Sequence, residues 1–236
     1  MISMILYNKY HEFYSERELP MYNTILFDLD GTLTDSALGI IRCLQYSLEK
    51  MGIIENDTEK LRRCIGPSLM ETYQKLYGMD EKAGWQAIEF YRERFDHVGI
   101  LENSLYPGVE SMLKHLDEAG KTILLATAKP TVQAKSILER YDLAKYFHTI
   151  TGSNLDGTRV NKGEVIRYDL LQIPQTQFSD ILMVGDREHD ILGAKQNQID
   201  SVGVTYGYGT QIELEKAKAD YIVHSVAELE KLLLPA

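Results

Sequence analysis

The chain has 236 residues, of which 44% are hydrophobic and 25% charged, a balance that excludes disorder as the default state. Its formal net charge of −10 opposes non-specific binding to a nucleic-acid polymer, while leaving room for a small phosphorylated partner held by a few local cations. No apolar run approaches the roughly 18 residues of a membrane span, and Cys43 and Cys64 have neither Cys-x-x-Cys nor metal spacing, so two reduced thiols in a cytoplasmic protein are expected.

In chain order, residues 1–20 carry a short apolar patch with no preceding basic region, a poor secretory signal, and read as an N-terminal extension ahead of Met21. Residues 25–27 are a short apolar run closed by acidic and glycine residues, the pattern of a buried parallel strand. Similar runs recur at 122–126, 148–151, 181–184, 201–204 and 221–223. Helical patterns separate them. Val109, Met112, Leu113 and Leu116 follow the i, i+3, i+4, i+7 rule, with Pro107 at the start and Gly120 at the end. Residues 132–140, 163–172, 190–198 and 227–234 read the same way. Such alternation predicts an α/β fold, a parallel sheet covered on both faces in the Rossmann manner. Residues 36–103 break it with helical segments near 37–51, 57–64, 68–77 and 82–97. They are expected to form an inserted helical cap domain, with hinges near 34–36 and 103–106. The core domain is then 21–35 with 104–236.

Ligands of open α/β sheets bind beyond the carboxyl ends of the strands, so the residues following each run carry the chemistry. These are Asp28-Leu29-Asp30-Gly31-Thr32, Thr127-Ala128-Lys129-Pro130, Asp156 to Lys162, and Gly185 to Asp190. Asp28 and Asp30, two residues apart, leave one face of an extended backbone. Like charges so close demand a cation, or they raise one pKa. One aspartate held ionised by Mg²⁺ and one carrying a proton would supply a nucleophile and an acid. Gly31 permits a tight turn whose amides reach phosphate oxygens. Thr127 and Lys162 offer a hydroxyl and a charge to a transferring phosphoryl group. Asp186 and Asp190 complete a hard oxygen donor set. A calcium loop starting at Asp28 would need Gly at its sixth position and Glu at its twelfth, where Leu33 and Gly39 stand.

The strings FDLDGTLTDS, the Thr127 segment, Lys162 and GDREHD together resemble the four motifs of the haloacid dehalogenase-like superfamily, over about residues 21–236. DGTR, GDREHD and YGYG are similar to its phosphoglycolate phosphatase and bacterial 5′-nucleotidase-like branch. The resemblance implies that Asp28 is a nucleophile forming an aspartyl-phosphate, and that Asp30 protonates the leaving oxygen and then activates water. It implies Mg²⁺ ligands in Asp28, the backbone carbonyl of Asp30 and Asp186, with Asp190 acting through water or as a support. Thr127 and Lys162 would bind the phosphoryl group, as would the backbone amide of Ala128, which stands where the family often has Asn. A cap loop reaching over the site makes Arg63 and Ser68 candidates for substrate contact, and Arg159 is a further candidate anion contact. The implied activity is hydrolysis of a small phosphate monoester. A phosphomutase shares every core motif; a dehalogenase lacks the second aspartate. The glycine-rich run from Gly203 to Gly209 lacks the Gly-x-Gly-x-x-Gly order and reads as a strand-end turn, and Trp85, Tyr91 and Phe95 read as cap core.

Overall fold

The computed structural model describes residues 21–173 and 180–235; the expected N-terminal extension lies outside them. Its centre is a six-stranded, all-parallel sheet in the order β5-β4-β1-β6-β7-β8. The strands are β1 (Thr24–Phe27), β4 (Thr122–Pro130), β5 (Thr149–Ser153), β6 (Ile181–Gly185), β7 (Asp200–Val204) and β8 (Tyr221–Val223). All four residues of β1 are buried, because layers cover both faces of the sheet. Side chains alternate across the pleat. Ile25 and Phe27 therefore join one apolar cluster, together with α5 (Val109–Glu118), α6 (Thr131–Arg140) and α10 (Val226–Leu233). Leu26 points the other way, into a cluster with α7 (Lys162–Leu170) and α8 (Glu188–Gln196).

Across residues 36–103, the expected insertion, the chain forms four α-helices, α1 (Ala37–Lys50), α2 (Thr58–Arg62), α3 (Leu69–Tyr77) and α4 (Glu81–Phe95). The last three begin with side-chain caps: Asp57, Ser68 and Asp80 accept from the backbone N–H of Lys60, Glu71 and Ala83. Gly78, at φ 65°, ends α3 in the left-handed region.

Three features depart from the sequence expectation. β4 runs on to Pro130, which places the second motif inside the strand. The two expected hinges pair with each other as a small antiparallel ribbon, β2 (Thr34–Asp35) against β3 (Ser104–Leu105); two-residue strands have no legible period. Helix α9 (Gln211–Ala217) was not anticipated. Its seven residues bury only Leu214 and Ala217, too few for an apolar stripe. The Thr210 hydroxyl, which accepts from Glu213 N, was the available signal.

Away from the strand ends, Asp169 of α7 is fully buried and accepts from the hydroxyls of Thr149 and Thr151. Burial pushes its carboxyl up to about 6, against the pull of those two hydroxyls. A carboxyl whose folded pKa lies above its unfolded value contributes fully below the unfolded pKa of about 3.9 and loses that contribution as pH rises through the folded value. Asp169→Asn is therefore expected to gain melting temperature relative to the parent between pH 4 and pH 7, by on the order of 5 °C. A difference that stays constant across that range, measured by thermal unfolding at each pH, contradicts the assignment.

Candidate active site

The chain leaves β1 to build β4 and β5 on one side, then returns to place β6 on the other. Adjacent strand ends diverge at such a switch point and leave a crevice. Asp28 sits there directly after β1, its N–H still bonded to Val184 O at 2.9 Å. The chain then folds tightly: the N–H groups of Thr32, Leu33 and Thr34 all donate to Leu29 O. Asp186 follows β6, and Asp190 lies in the first turn of α8, where it accepts from Arg187 N at 3.1 Å. Ligand atoms of Asp28, Asp186 and Asp190 all lie within 4.8 Å of one another, and all three residues are buried.

Lys162 opens α7 and drives its ammonium under this cluster. Its Nζ lies 2.8 Å from both Asp28 Oδ1 and Asp190 Oδ1 and donates to Ala126 O at 3.0 Å. Burial works against the ammonium, but the Asp190 and Asp28 carboxylates outweigh it and hold Lys162 above the ordinary lysine range. Its stem passes Gly193 of α8, where an added Cβ would stand 2.9 Å from Lys162 Cγ.

One lysine against three carboxylates leaves two negative charges uncompensated. Burial, then Asp190 and Asp28, push the Asp186 carboxyl well above its usual range. Burial also raises Asp190, opposed by Lys162 and reinforced by Asp28. Asp186 Oδ1 is buried and accepts no hydrogen bond among the described residues. An all-oxygen donor set with that charge deficit and that orphaned atom fits a hard divalent cation such as Mg²⁺.

Asp186 is held from behind by the turn after β7. Tyr208 N donates to Asp186 Oδ2 at 2.7 Å, and the Tyr208 hydroxyl accepts from Ser36 N at 2.7 Å and lies 2.9 Å from Asp35 Oδ1. Close packing there demands glycine. A Cβ at Gly31 (φ +86°) would lie 2.2 Å from Asp186 Oδ2, and one at Gly209 would lie 1.8 Å from the Asp186 carbonyl oxygen. The glycine-rich run is thus a strand-end turn, as its sequence implied, and also a support for the carboxylate cluster. The YGYG string marked the family branch in the sequence, but not this supporting role.

Asp30 stands apart from the cluster: its Oδ2 pairs with Lys129 Nζ at 2.9 Å. Sequence reasoning passed over Lys129. Once β4 extends through the motif, Thr127 and Lys129 alternate onto one buried face, with Ala128 and Pro130 less buried between them. Asp28, Asp30, Thr127, Ala128 and Lys129 line a cleft of about 430 Å³ closed on its far side by residues of α1, α3 and α4 and the loop before α3. Ser68 lines this cleft while its hydroxyl caps α3. Arg63 does not line it; that side chain is exposed and its Nε donates to Glu59 O. Arg159 does not line it either. Its guanidinium donates to Gly152 O and Asn154 Oδ1 and sits 4.1 Å from the centre of the Tyr168 ring. Tyr91 and Phe95 are buried as expected of cap core, but Trp85 is only half-buried and forms part of the cleft wall. Arg187 of the fourth motif was also missed. It pairs with Glu213 Oε1 at 2.8 Å and donates from Nη1 to Ile65 O, tying the carboxylate loop to the loop before α3.

Fold and site together define an α/β protein with a buried carboxylate cluster at its strand ends. Residues 25–204 match the haloacid dehalogenase-like hydrolase family, and the chain belongs to that family. It is 42% identical over 212 residues to a 5′-nucleotidase of Pseudomonas aeruginosa, covering 90% of this chain and 96% of that one. It is 30% identical over 213 residues to a phosphoglycolate phosphatase of Vibrio parahaemolyticus, covering 87% and 93% respectively. The crystal structure of a predicted phosphatase from Clostridium acetobutylicum superimposes with a TM-score of 0.87 at 46% identity, over 92% of this chain and all of that one.

Gly209→Ala tests the support of the cluster. The added methyl forces the turn to shift and withdraws Tyr208 N from Asp186. Supporting partners of metal ligands are typically worth about 10–100-fold in affinity, so Mg²⁺ binding measured calorimetrically is expected to weaken by at least about tenfold. Unchanged affinity in a folded Gly209→Ala protein contradicts the role given to this turn.

Proposed function

We propose that the protein is a Mg²⁺-dependent phosphomonoesterase that passes a phosphoryl group from a small phosphorylated metabolite to Asp28 and then to water. The observation that carries this reading is Asp28 itself: a buried carboxylate at a sheet switch point, paired with Lys162 and clustered with Asp186 and Asp190. No helix among the described residues is long and apolar enough to cross a membrane, and both cysteines are free thiols, which supports a cytoplasmic setting.

Asp28, Asp186 and the backbone carbonyl of Asp30 would hold Mg²⁺, with Asp190 behind them. A bound ion would supply positive charge beside the Asp28 carboxylate that offsets the charge of the phosphoryl group. An Asp28 carboxylate oxygen attacks phosphorus as the ester P–O bond breaks, and the leaving oxygen takes a proton from Asp30. Water then attacks the phosphorus of the aspartyl-phosphate and gives its proton to Asp30, so that Asp28 is restored and inorganic phosphate departs. Thr127, the Ala128 amide and the amides around Gly31 bind the equatorial oxygens, and Lys162 balances their charge.

Helices α1 to α4 act in this reading as the cap, excluding bulk water when closed over the ester. The leaving group then meets Ser68 and Trp85 on the cleft wall. The two named relatives favour the phosphoglycolate or nucleoside monophosphate class of substrate.

With p-nitrophenyl phosphate, phosphate release is expected to require Mg²⁺, and Asp28→Asn to lower kcat by on the order of 10³-fold or more. Acid quenching with ³²P-labelled substrate should leave label on the parent protein and none on Asp28→Asn. Metal-independent turnover, or turnover that survives Asp28→Asn, contradicts the proposal. Relative kcat/KM across phosphoglycolate and the nucleoside monophosphates then assigns the substrate class.

A further inference from the structure

The two oxygens of the Asp30 carboxyl have unequal surroundings. Oδ2 lies 2.9 Å from Lys129 Nζ, whereas Oδ1 is buried and accepts no hydrogen bond among the described residues. Asp30 belongs to the cleft lining. Gly31 beside it has no side chain to pack against the carboxyl. Yet proton transfer needs its carboxyl oxygen within hydrogen-bond reach of the reacting atom, and a misplacement of about 1 Å costs on the order of 10²-fold in rate.

Lys129 is built to supply that fixity. Its side chain is 6% exposed and its N–H is bonded to Thr127 Oγ1 at 3.3 Å. Its ammonium lies 4.5 Å from the centre of the Phe95 ring, on the last turn of α4. A main chain fixed within β4 and an aromatic face against the ammonium leave the side chain little freedom. A buried ammonium without an anionic partner would be strongly unfavourable, and Asp30 is the carboxylate it meets. Lys162 has a different task, since it divides its contacts between Asp28 and Asp190.

We infer that Lys129 is a positioning residue for Asp30: it grips Oδ2 and thereby presents Oδ1 to the place where the leaving oxygen, and later the attacking water, must stand. This rests on the reading of Asp30 as the proton-transfer group. Lys129 also lines the cleft, so a direct contact with the substrate phosphate is the rival role, and kinetics separate the two. A group acting through Asp30 has nothing left to do once Asp30 is disabled; a group binding substrate keeps its share.

The test is a double-mutant cycle on the full chain with saturating Mg²⁺, using phenyl phosphate, whose leaving oxygen requires a proton, and p-nitrophenyl phosphate, whose leaving group departs readily without one. Lys129→Met is expected to lower kcat for phenyl phosphate about 10–100-fold with KM nearly unchanged. In kcat/KM the loss should be smaller for p-nitrophenyl phosphate, and Lys129→Arg should recover much of it. Asp30→Asn should lose about 10²–10⁴-fold, and the double variant should be no slower than Asp30→Asn alone. Losses that multiply in the double variant, or a raised KM at unchanged kcat, overturn the inference. Lys129→Gln enters the same cycle if the Met variant fails to fold, as judged by its melting transition. Parental activity in Asp30→Asn would instead overturn the assignment of Asp30, so the two failures are distinguishable.

Discussion

The structure turns on gathering three carboxylates into a space where water cannot solvate them. Asp28, Asp186 and Asp190 are each at most 5% exposed, and Lys162 is the ammonium that meets two of them. Charges so placed are tolerated only when paired. The parallel sheet supplies the positions, since its switch point opens a crevice between β1 and its neighbours. Helix α7 supplies the lysine from beneath, and α8 supplies Asp190 at an N-terminus, where the helix dipole favours a negative charge.

The same constraint explains the supporting residues. Asp186 has one oxygen tied to Tyr208 N and the other without a donor among the described residues, which leaves that oxygen's acceptor capacity unused beside the cluster. The turn holding it reaches Asp35 and Ser36 at the start of the helical insertion through the Tyr208 hydroxyl. Arg187 reaches the same insertion at Ile65. The carboxylate loops and the helices above them are therefore joined close to where the chain enters the insertion, at the loop before α3, and through the Arg62 guanidinium, 5.3 Å from the centre of the Tyr208 ring. The geometry of the carboxylate cluster and the position of the cleft wall share these residues, so substitutions at Tyr208 or Arg187 are expected to affect both.

Much of this was legible in the sequence because its signals are local. Apolar runs ending in aspartate marked β1 and β6, and the heptad-like spacing of Val109, Met112, Leu113 and Leu116 marked α5, all of whose apolar positions are buried. Asp28, Asp186, Asp190 and Lys162 could be brought together because each follows a strand or opens a helix at one edge of the sheet. Contacts set by tertiary packing were not legible. Lys129 has no assigned role in the sequence reading, because its place on a buried face follows only from the continuation of β4 to Pro130. Tyr208 acts through a backbone N–H, which no side-chain pattern reports. Arg63, a candidate through the cap loop that the resemblance implied, is exposed and donates to Glu59 O, and Arg159, a candidate anion contact, is committed to its own loop. Trp85 was read with Tyr91 and Phe95 as cap core, yet it stands on the cleft wall and is only half-buried.

The central claim is that this carboxylate cluster is completed by a divalent cation, and the most direct measurement is an anomalous difference map from crystals soaked in Mn²⁺ in place of Mg²⁺. The account predicts one strong peak at coordinating distance from the carboxylates of Asp28 and Asp186, lost in crystals of Asp186→Asn. A peak elsewhere on the molecule, or none while the carboxylates keep the positions described, would contradict it.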